Sequence, residues 1–138
     1  MAPNFFLEVK SGKCTSDVAN LQALHTGALG ERGLMALRGW RREGLGLDNK
    51  AHTITGHTSM ARSHFFHSCR KKKTNSNELE FYMNEINSDS ITGYAEGFHR
   101  GVSMYRNLRD FADEQRLGSI AMTNEVAYRT EDAEEAEE

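Results

Sequence analysis

The sequence predicts one mixed α/β (α+β) domain, and three observations carry that expectation. A short apolar run, "NFFLEVKSG", opens the chain at residues 4–12. Three more runs with strand character lie between residues 51 and 86. Two long stretches of helical periodicity bracket those runs, one after residue 15 and one after residue 89. The order strand, helix, three strands, helix packs sheet and helices around one core. A chain of 138 residues suits a single domain.

Phe5–Lys10 reads as a strand, with two phenylalanines and a valine bounded by Pro3 and Gly12. Thr15 or Ser16 can cap the next helix, with Asp17 in its first turn. Val18, Leu21, Leu24, Ala28 and Met35 recur at helical spacing. Gly27, Gly30 and Gly33 weaken that helix, so a break near Gly30 is expected, with a second piece reaching Trp40. "GWRREGLGLDNK" is a loop, with Trp40 expected to anchor it on the core. "AHTITGHT" (Ala51 to Thr58) alternates and is rich in threonine, so it is a strand. "RSHFFHSC" (Arg62 to Cys69) is its expected hairpin partner. "RKKKTNSN" (Arg70 to Asn77) is a polar, basic loop, and "LEFYMNEI" (Leu79 to Ile86) a further strand. The longest helix is expected from Asp89 or Ser90 to near Arg116, with Tyr94, Phe98, Val102, Tyr105, Leu108 and Ala112 on its apolar face. Gly93, Gly97 and Gly101 fall one turn apart there and point to a close backbone contact.

Composition narrows the function classes. Hydrophobic residues make up 38% and charged residues 27%, a globular balance. No stretch approaches the roughly 20 apolar residues of a membrane span, and no signal peptide is visible. Cys14 and Cys69 make no disulfide framework, which predicts a reduced, intracellular compartment, cytoplasmic or nuclear. The net charge of −3 hides an asymmetry: six of the 20 acids lie in "EDAEEAEE" at residues 131–138, so the rest carries 14 acids against 17 bases. Residues 1–127 are expected to form the domain and 128–138 an acidic disordered tail.

In a strand alternate side chains share a face. Glu8 and Lys10 therefore point the same way, about 7 Å apart, with Phe6 beside them. Phe5, Leu7 and Val9 are expected to face the core. Read by itself, the charged pair is a surface ion pair. Read with Gln22 on the next helix, the strand-borne E-x-K resembles the PD-(D/E)XK nuclease superfamily. "PNFFLEVKSG", "LQALHTGALGERGL", "AHTITGHT", "FYMNEI" and "GFHRGVSMYRNLRDFADEQR", in that order, are similar to a family of uncharacterised, largely fungal proteins with such a domain. The similarity runs with gaps from Pro3 to about Glu125.

That resemblance implies a restriction-endonuclease-like mixed sheet with flanking helices. It implies metal-dependent phosphodiester hydrolysis in which Glu8 and the main-chain carbonyl of Val9 hold Mg²⁺ or Mn²⁺. Lys10 would orient the attacking water, and Gln22 would support the site. A hard divalent ion wants carboxylate and phosphate oxygens and keeps part of its water shell, and it lowers the pKa of bound water. The sequence departs from the superfamily in one respect. The superfamily's metal-binding aspartate lies on the strand before E-x-K, and none of the seven residues before Glu8 is Asp. Asn4 follows Pro3 but stands roughly 13 Å from Glu8 along the same strand. The core is thus expected to be N-terminally incomplete, leaving the domain truncated, a piece of a longer protein, or inactive as an isolated chain. Its open strand edge invites a homodimer or another paired strand. The alternative is a non-catalytic remnant that binds nucleic acid or protein.

Arg70, Lys71, Lys72 and Lys73 form a basic run suited to phosphate contact or to plain solubility. His52, His57, His64, His67 and Cys69 raise zinc or a Cys–His pair, but no paired spacing anchors either. "YRNLRDFADEQR" (Tyr105 to Arg116) reads as a solvated helix face, with Arg106–Asp110 or Arg109–Asp113 pairing across one turn.

Overall fold

In the computed structural model, residues 2–42, 48–59 and 61–135 are described. Four strands and two helices follow in the order β1 (Phe5–Lys10), α1 (Ser16–Arg38), β2 (Ala51–Ser59), β3 (Arg62–Lys72), β4 (Leu79–Ser90) and α2 (Ala95–Glu135). The strands make one mixed sheet in the spatial order β1-β2-β3-β4. β1 runs parallel to β2, joined through α1, and β2–β3 and β3–β4 are antiparallel. The fold is therefore mixed α+β, a four-stranded sheet with flanking helices.

The helices cover opposite faces. On the α1 side, Ala19, Ala23 and Leu34 are buried, and the helix approaches Ser68 and Thr55 at Gly27 and Thr53 and Phe6 at Gly30. On the α2 side, Phe5 meets Tyr105 edge to face with ring centroids 5.5 Å apart. Ile54, Phe65 and Ala112 are buried there. Asn4 ties both layers to the start of β1: its side-chain N–H₂ donates to the His52 carbonyl at 2.9 Å and to the Ala112 carbonyl at 2.5 Å.

Helix α1 starts as expected, with the Thr15 hydroxyl accepting the Val18 N–H. It does not break near Gly30. A Cβ on Gly30 would stand 2.6 Å from a Thr53 methyl, and one on Gly27 would collide with the Ser68 hydroxyl. These glycines let the helix lie close on β2 and β3, a gain that outweighs their helix cost of about 1 kcal/mol each.

The other boundaries shift too. β3 continues through Lys72, so Arg70, Lys71 and Lys72 lie on a strand and not in a loop. β4 takes Asp89 and Ser90, which were expected to open the last helix. Gly93 sits before α2 at φ +98°, a left-handed turn position suited to glycine. Gly97 and Gly101 pack on the Ser90 carbonyl and the Ile91 side chain of the β4–α2 connection. α2 runs past Arg116 to Glu135 and so carries residues 128–135 in helix. Within it Arg109 pairs with Asp110 and Arg116 with Asp113, not the expected one-turn pairs. Leu7 and Val9 are not core residues, being 42% and 83% exposed. Trp40 is exposed as well, with the Arg41 guanidinium 4.8 Å over its ring. Among the described residues, no helix is long and apolar enough to cross a membrane.

Candidate functional site

The α1-facing side of β1 carries Phe6, Glu8 and Lys10. Phe6 packs beside Gly30, and the two charged side chains lie further along, toward the N-terminal half of α1. The Lys10 ammonium donates to Glu8 Oε2 and to Gln22 Oε1. Glu8 Oε1 accepts from the Thr26 hydroxyl at 3.4 Å. Gln22 and Thr26 are one helical turn apart, so they meet the strand together. The Lys10 side chain is only 13% exposed and that of Glu8 33%. Glu8 opens onto a cleft of about 430 Å³ between strand and helix, lined also by Val18, Leu21, Gln22, His25 and Thr26. Glu8, Lys10 and Gln22 are thus in mutual contact. Val9 points to the opposite face, consistent with strand alternation.

Sheet register adds a residue that the linear sequence did not single out for this site. Glu8 pairs with His57 of β2, and His57 with His64 of β3. His57 is 2% exposed. Burial first, then the neighbouring His64 and Lys10 charges, hold its pKa below the ordinary value near 6.5. A neutral ring donates from Nε2 to Asn20 Oδ1 at 2.9 Å. The His57 and His64 rings stack with centroids 4.9 Å apart, and His64 Nδ1 lies 2.9 Å from Glu85 Oε1. His67 pairs with Ile54 and takes no part in the stack. Thr26 follows Gln22 by one helical turn and reaches Glu8 from α1. His57, with Asn20 bonded to it, had no signal in spacing and comes beside Glu8 through the parallel register of β1 on β2.

A second polar cluster lies at the other end of α1. Glu31, 1% exposed, accepts the His52 main-chain N–H at 2.9 Å and lies 3.3 Å from His52 Nδ1. His52 Nε2 is 2.9 Å from Asp48 Oδ2, which Arg38 also holds at 3.1 Å. Burial raises the Asp48 pKa, but the Lys50 N–H, His52 and Arg38 outweigh it and hold the carboxyl below its usual range.

The basic run is divided between environments. Arg70 is half-buried; burial lowers its pKa, and Glu31 and Asp48 oppose that shift. The Lys71 ammonium lies 5.5 Å over the Tyr82 ring. Lys72 is exposed. Lys73 reaches Glu78 at 3.5 Å and Glu80 at 3.9 Å. Among the described residues, no three His, Cys, Asp or Glu side chains are grouped so as to hold a metal ion.

No family model, curated protein or solved structure matches this chain.

Proposed function

We propose that this chain is a nuclease-like domain for metal-dependent phosphodiester hydrolysis, of the PD-(D/E)XK type, and that it is catalytically silent as an isolated chain. The observation that supports this reading is the Lys10 ammonium held between Glu8 and Gln22, both of which line an open cleft. The oxygen donors fit Mg²⁺ or Mn²⁺ in part. Such ions bind through one or two carboxylates plus phosphate and water, and Glu8 is the carboxylate present. The Val9 carbonyl is the second oxygen the resemblance implies. When bound, the metal polarises the phosphoryl group and lowers the pKa of its water. Glu8 would hold the ion. Lys10 keeps a proton donor and positive charge where negative charge develops. Gln22 and Thr26 fix those two side chains, which limits reorganisation. A single carboxylate would hold such an ion weakly, and turnover would need a further acid.

The test pairs Mn²⁺ titration, read by paramagnetic broadening of the Glu8 and Lys10 amide signals, with plasmid and single-strand cleavage in Mg²⁺ and Mn²⁺. Glu8→Ala and Lys10→Ala serve as matched controls, with circular dichroism to verify folding. Broadening centred on Glu8 and lost in Glu8→Ala, without cleavage, supports the reading. Cleavage lost in both variants would keep the site but overturn its silence, and a folded wild-type chain without broadening would overturn the metal site.

A second reading is non-catalytic nucleic-acid binding. It is favoured by exposed Lys71 and Lys72 beside a polar recess bounded by Lys73, Thr74, Asn75 and Asn77. Binding whose salt slope falls by about 0.9 in Lys72→Ala, with no cutting, would select it.

A further inference from the structure

The backbone of β1 has a direction that settles which of its groups are used. The Asn4 carbonyl accepts the Ile54 N–H at 2.9 Å, so it points toward β2. The N–H and C=O of one strand residue point to the same side, and successive residues alternate. Asn4, Phe6, Glu8 and Lys10 therefore face β2, and Phe5, Leu7 and Val9 direct their main-chain groups outward. β1 is the first strand of the sheet order, so that outward row has no strand beside it among the described residues.

Natural edge strands are blunted by outward charges, proline or bulges. None of these guards lies on the outward row of β1. Its one lysine, Lys10, is folded inward onto Glu8 and Gln22. Val9 is 83% exposed and Leu7 42%. Leu7 also rims an apolar recess of about 150 Å³ formed with Phe65, Phe98, Val102 and Tyr105.

We propose that this edge pairs antiparallel with β1 of a second copy of the chain, with the two-fold axis at Val9. A symmetric register centred on any residue of β1 keeps each side chain on its own face. Centring on Phe6 sets Glu8 against Asn4 of the other copy, and centring on Lys10 sets two ammonium groups against each other. Centring on Leu7 sets Glu8 against Phe6 of the other copy. Centring on Glu8 sets two carboxylates against each other. Centring on Val9 sets each Glu8 against the Lys10 of the other copy, twice over. Charge complementarity selects that register, and the interface is isologous. Val9 then exchanges both main-chain hydrogen bonds with its counterpart. The Glu8–Lys10 pairs become the closer, non-hydrogen-bonded kind, at Cα separations of about 4.5 Å. Four charges alternate around the axis, and each Lys10 keeps its own Glu8 while gaining a second.

Sedimentation velocity over a micromolar to near-millimolar range tests this. The wild type is expected to dimerise reversibly. Val9→Pro is expected to remain monomeric and folded, because the lost N–H points outward. Glu8→Lys and Lys10→Glu each set like charges together and are expected to weaken the dimer about tenfold or more. The double variant Glu8→Lys/Lys10→Glu restores the pattern and is expected to recover dimerisation. In a Cys14→Ser background, Val9→Cys is expected to cross-link between copies, since about 5.5 Å between Cα atoms suits a disulfide. Leu7→Cys, roughly 13 Å from its counterpart, is not. A wild type that stays monomeric, a double variant without recovery, or cross-linking by Leu7→Cys would each overturn the proposal. The pairing does not rest on the phosphodiester reading and competes with it for the Val9 carbonyl; the charge-swapped chain is expected to dimerise without Glu8 and Lys10 in place.

Discussion

Helix α1 presses two polar clusters against the sheet, and its two halves treat them differently. Its C-terminal half closes over Glu31 and His52, which are 1% and 5% exposed, with Asp48 and Arg38 at the rim. Its N-terminal half leaves Glu8 facing a cleft. Each cluster contains an acid, a base and a β2 histidine. The difference teaches how to tell a structural polar cluster from a candidate site. In the first, both oxygens of the acid lie against the backbone and ring of one histidine. In the second, the acid is held by a lysine and a hydroxyl, and solvent still reaches it.

The sharpest way to break that comparison is to remove each acid. Glu31→Ala leaves the His52 main-chain N–H without its acceptor in a buried place. Breaking a buried charge network by one partner costs about 3–5 kcal/mol, a large share of a typical stability of about 5–15 kcal/mol. Glu8→Ala removes a partly exposed pair and is expected to cost under about 1 kcal/mol. Urea unfolding of both variants reads the contrast. Equal losses would mean that Glu8 is a structural acid after all.

The next test concerns what brings α1 so close. Gly30→Ala drives a methyl toward Thr53 and Phe6. Overpacking of this kind costs about 1–3 kcal/mol, against a helix-propensity gain of about 1 kcal/mol. Gly33→Ala meets only the Ala2 methyl at 3.6 Å. It is expected to keep the propensity gain and stabilise the chain by up to about 1 kcal/mol. Opposite signs in thermal melts would place the close approach at Gly30 and not along the whole helix.

The elements were legible where pattern and period agree. Phe5–Lys10, the Thr15 cap and the three later strands all follow from alternation, turn residues and capping chemistry. Glu8 and Lys10 on one face were legible from strand alternation, whereas Gln22 was singled out only through the resemblance. What stayed hidden depends on pairing partners. Local propensity made Gly27 and Gly30 a helix break, and tertiary packing overrode it. A polar run such as Arg70–Lys72 reads as a loop until β4 supplies the facing strand. His52 looks like an alternating strand residue. Yet the register shifts between Ala51 and Thr53, and its N–H goes to the Glu31 side chain instead. His57 joins Glu8 only through the register of a parallel pair, which no local signal encodes.

The smallest expected effect separates the two clusters by pH. His57 belongs to the open end, and its folded pKa lies below its ordinary value near 6.5. As pH falls through about 6.5, the unfolded chain takes up that proton first, so stability declines there and levels off below the folded pKa. Asp48 belongs to the closed end, and its folded pKa lies below its ordinary 3.8. Its contribution is intact above that value and is lost as pH falls through the folded pKa. The two ends therefore weaken in separate windows. Urea midpoints measured from pH 7.5 to pH 3 are expected to show a shallow upper limb and a lower one. His57→Gln should remove the upper limb alone, and Asp48→Asn should flatten the lower. If His57→Gln leaves the upper limb unchanged, the imidazole beside Glu8 is not the group that titrates there. The neutral, Asn20-bonded ring would then no longer distinguish the open cluster from the closed one.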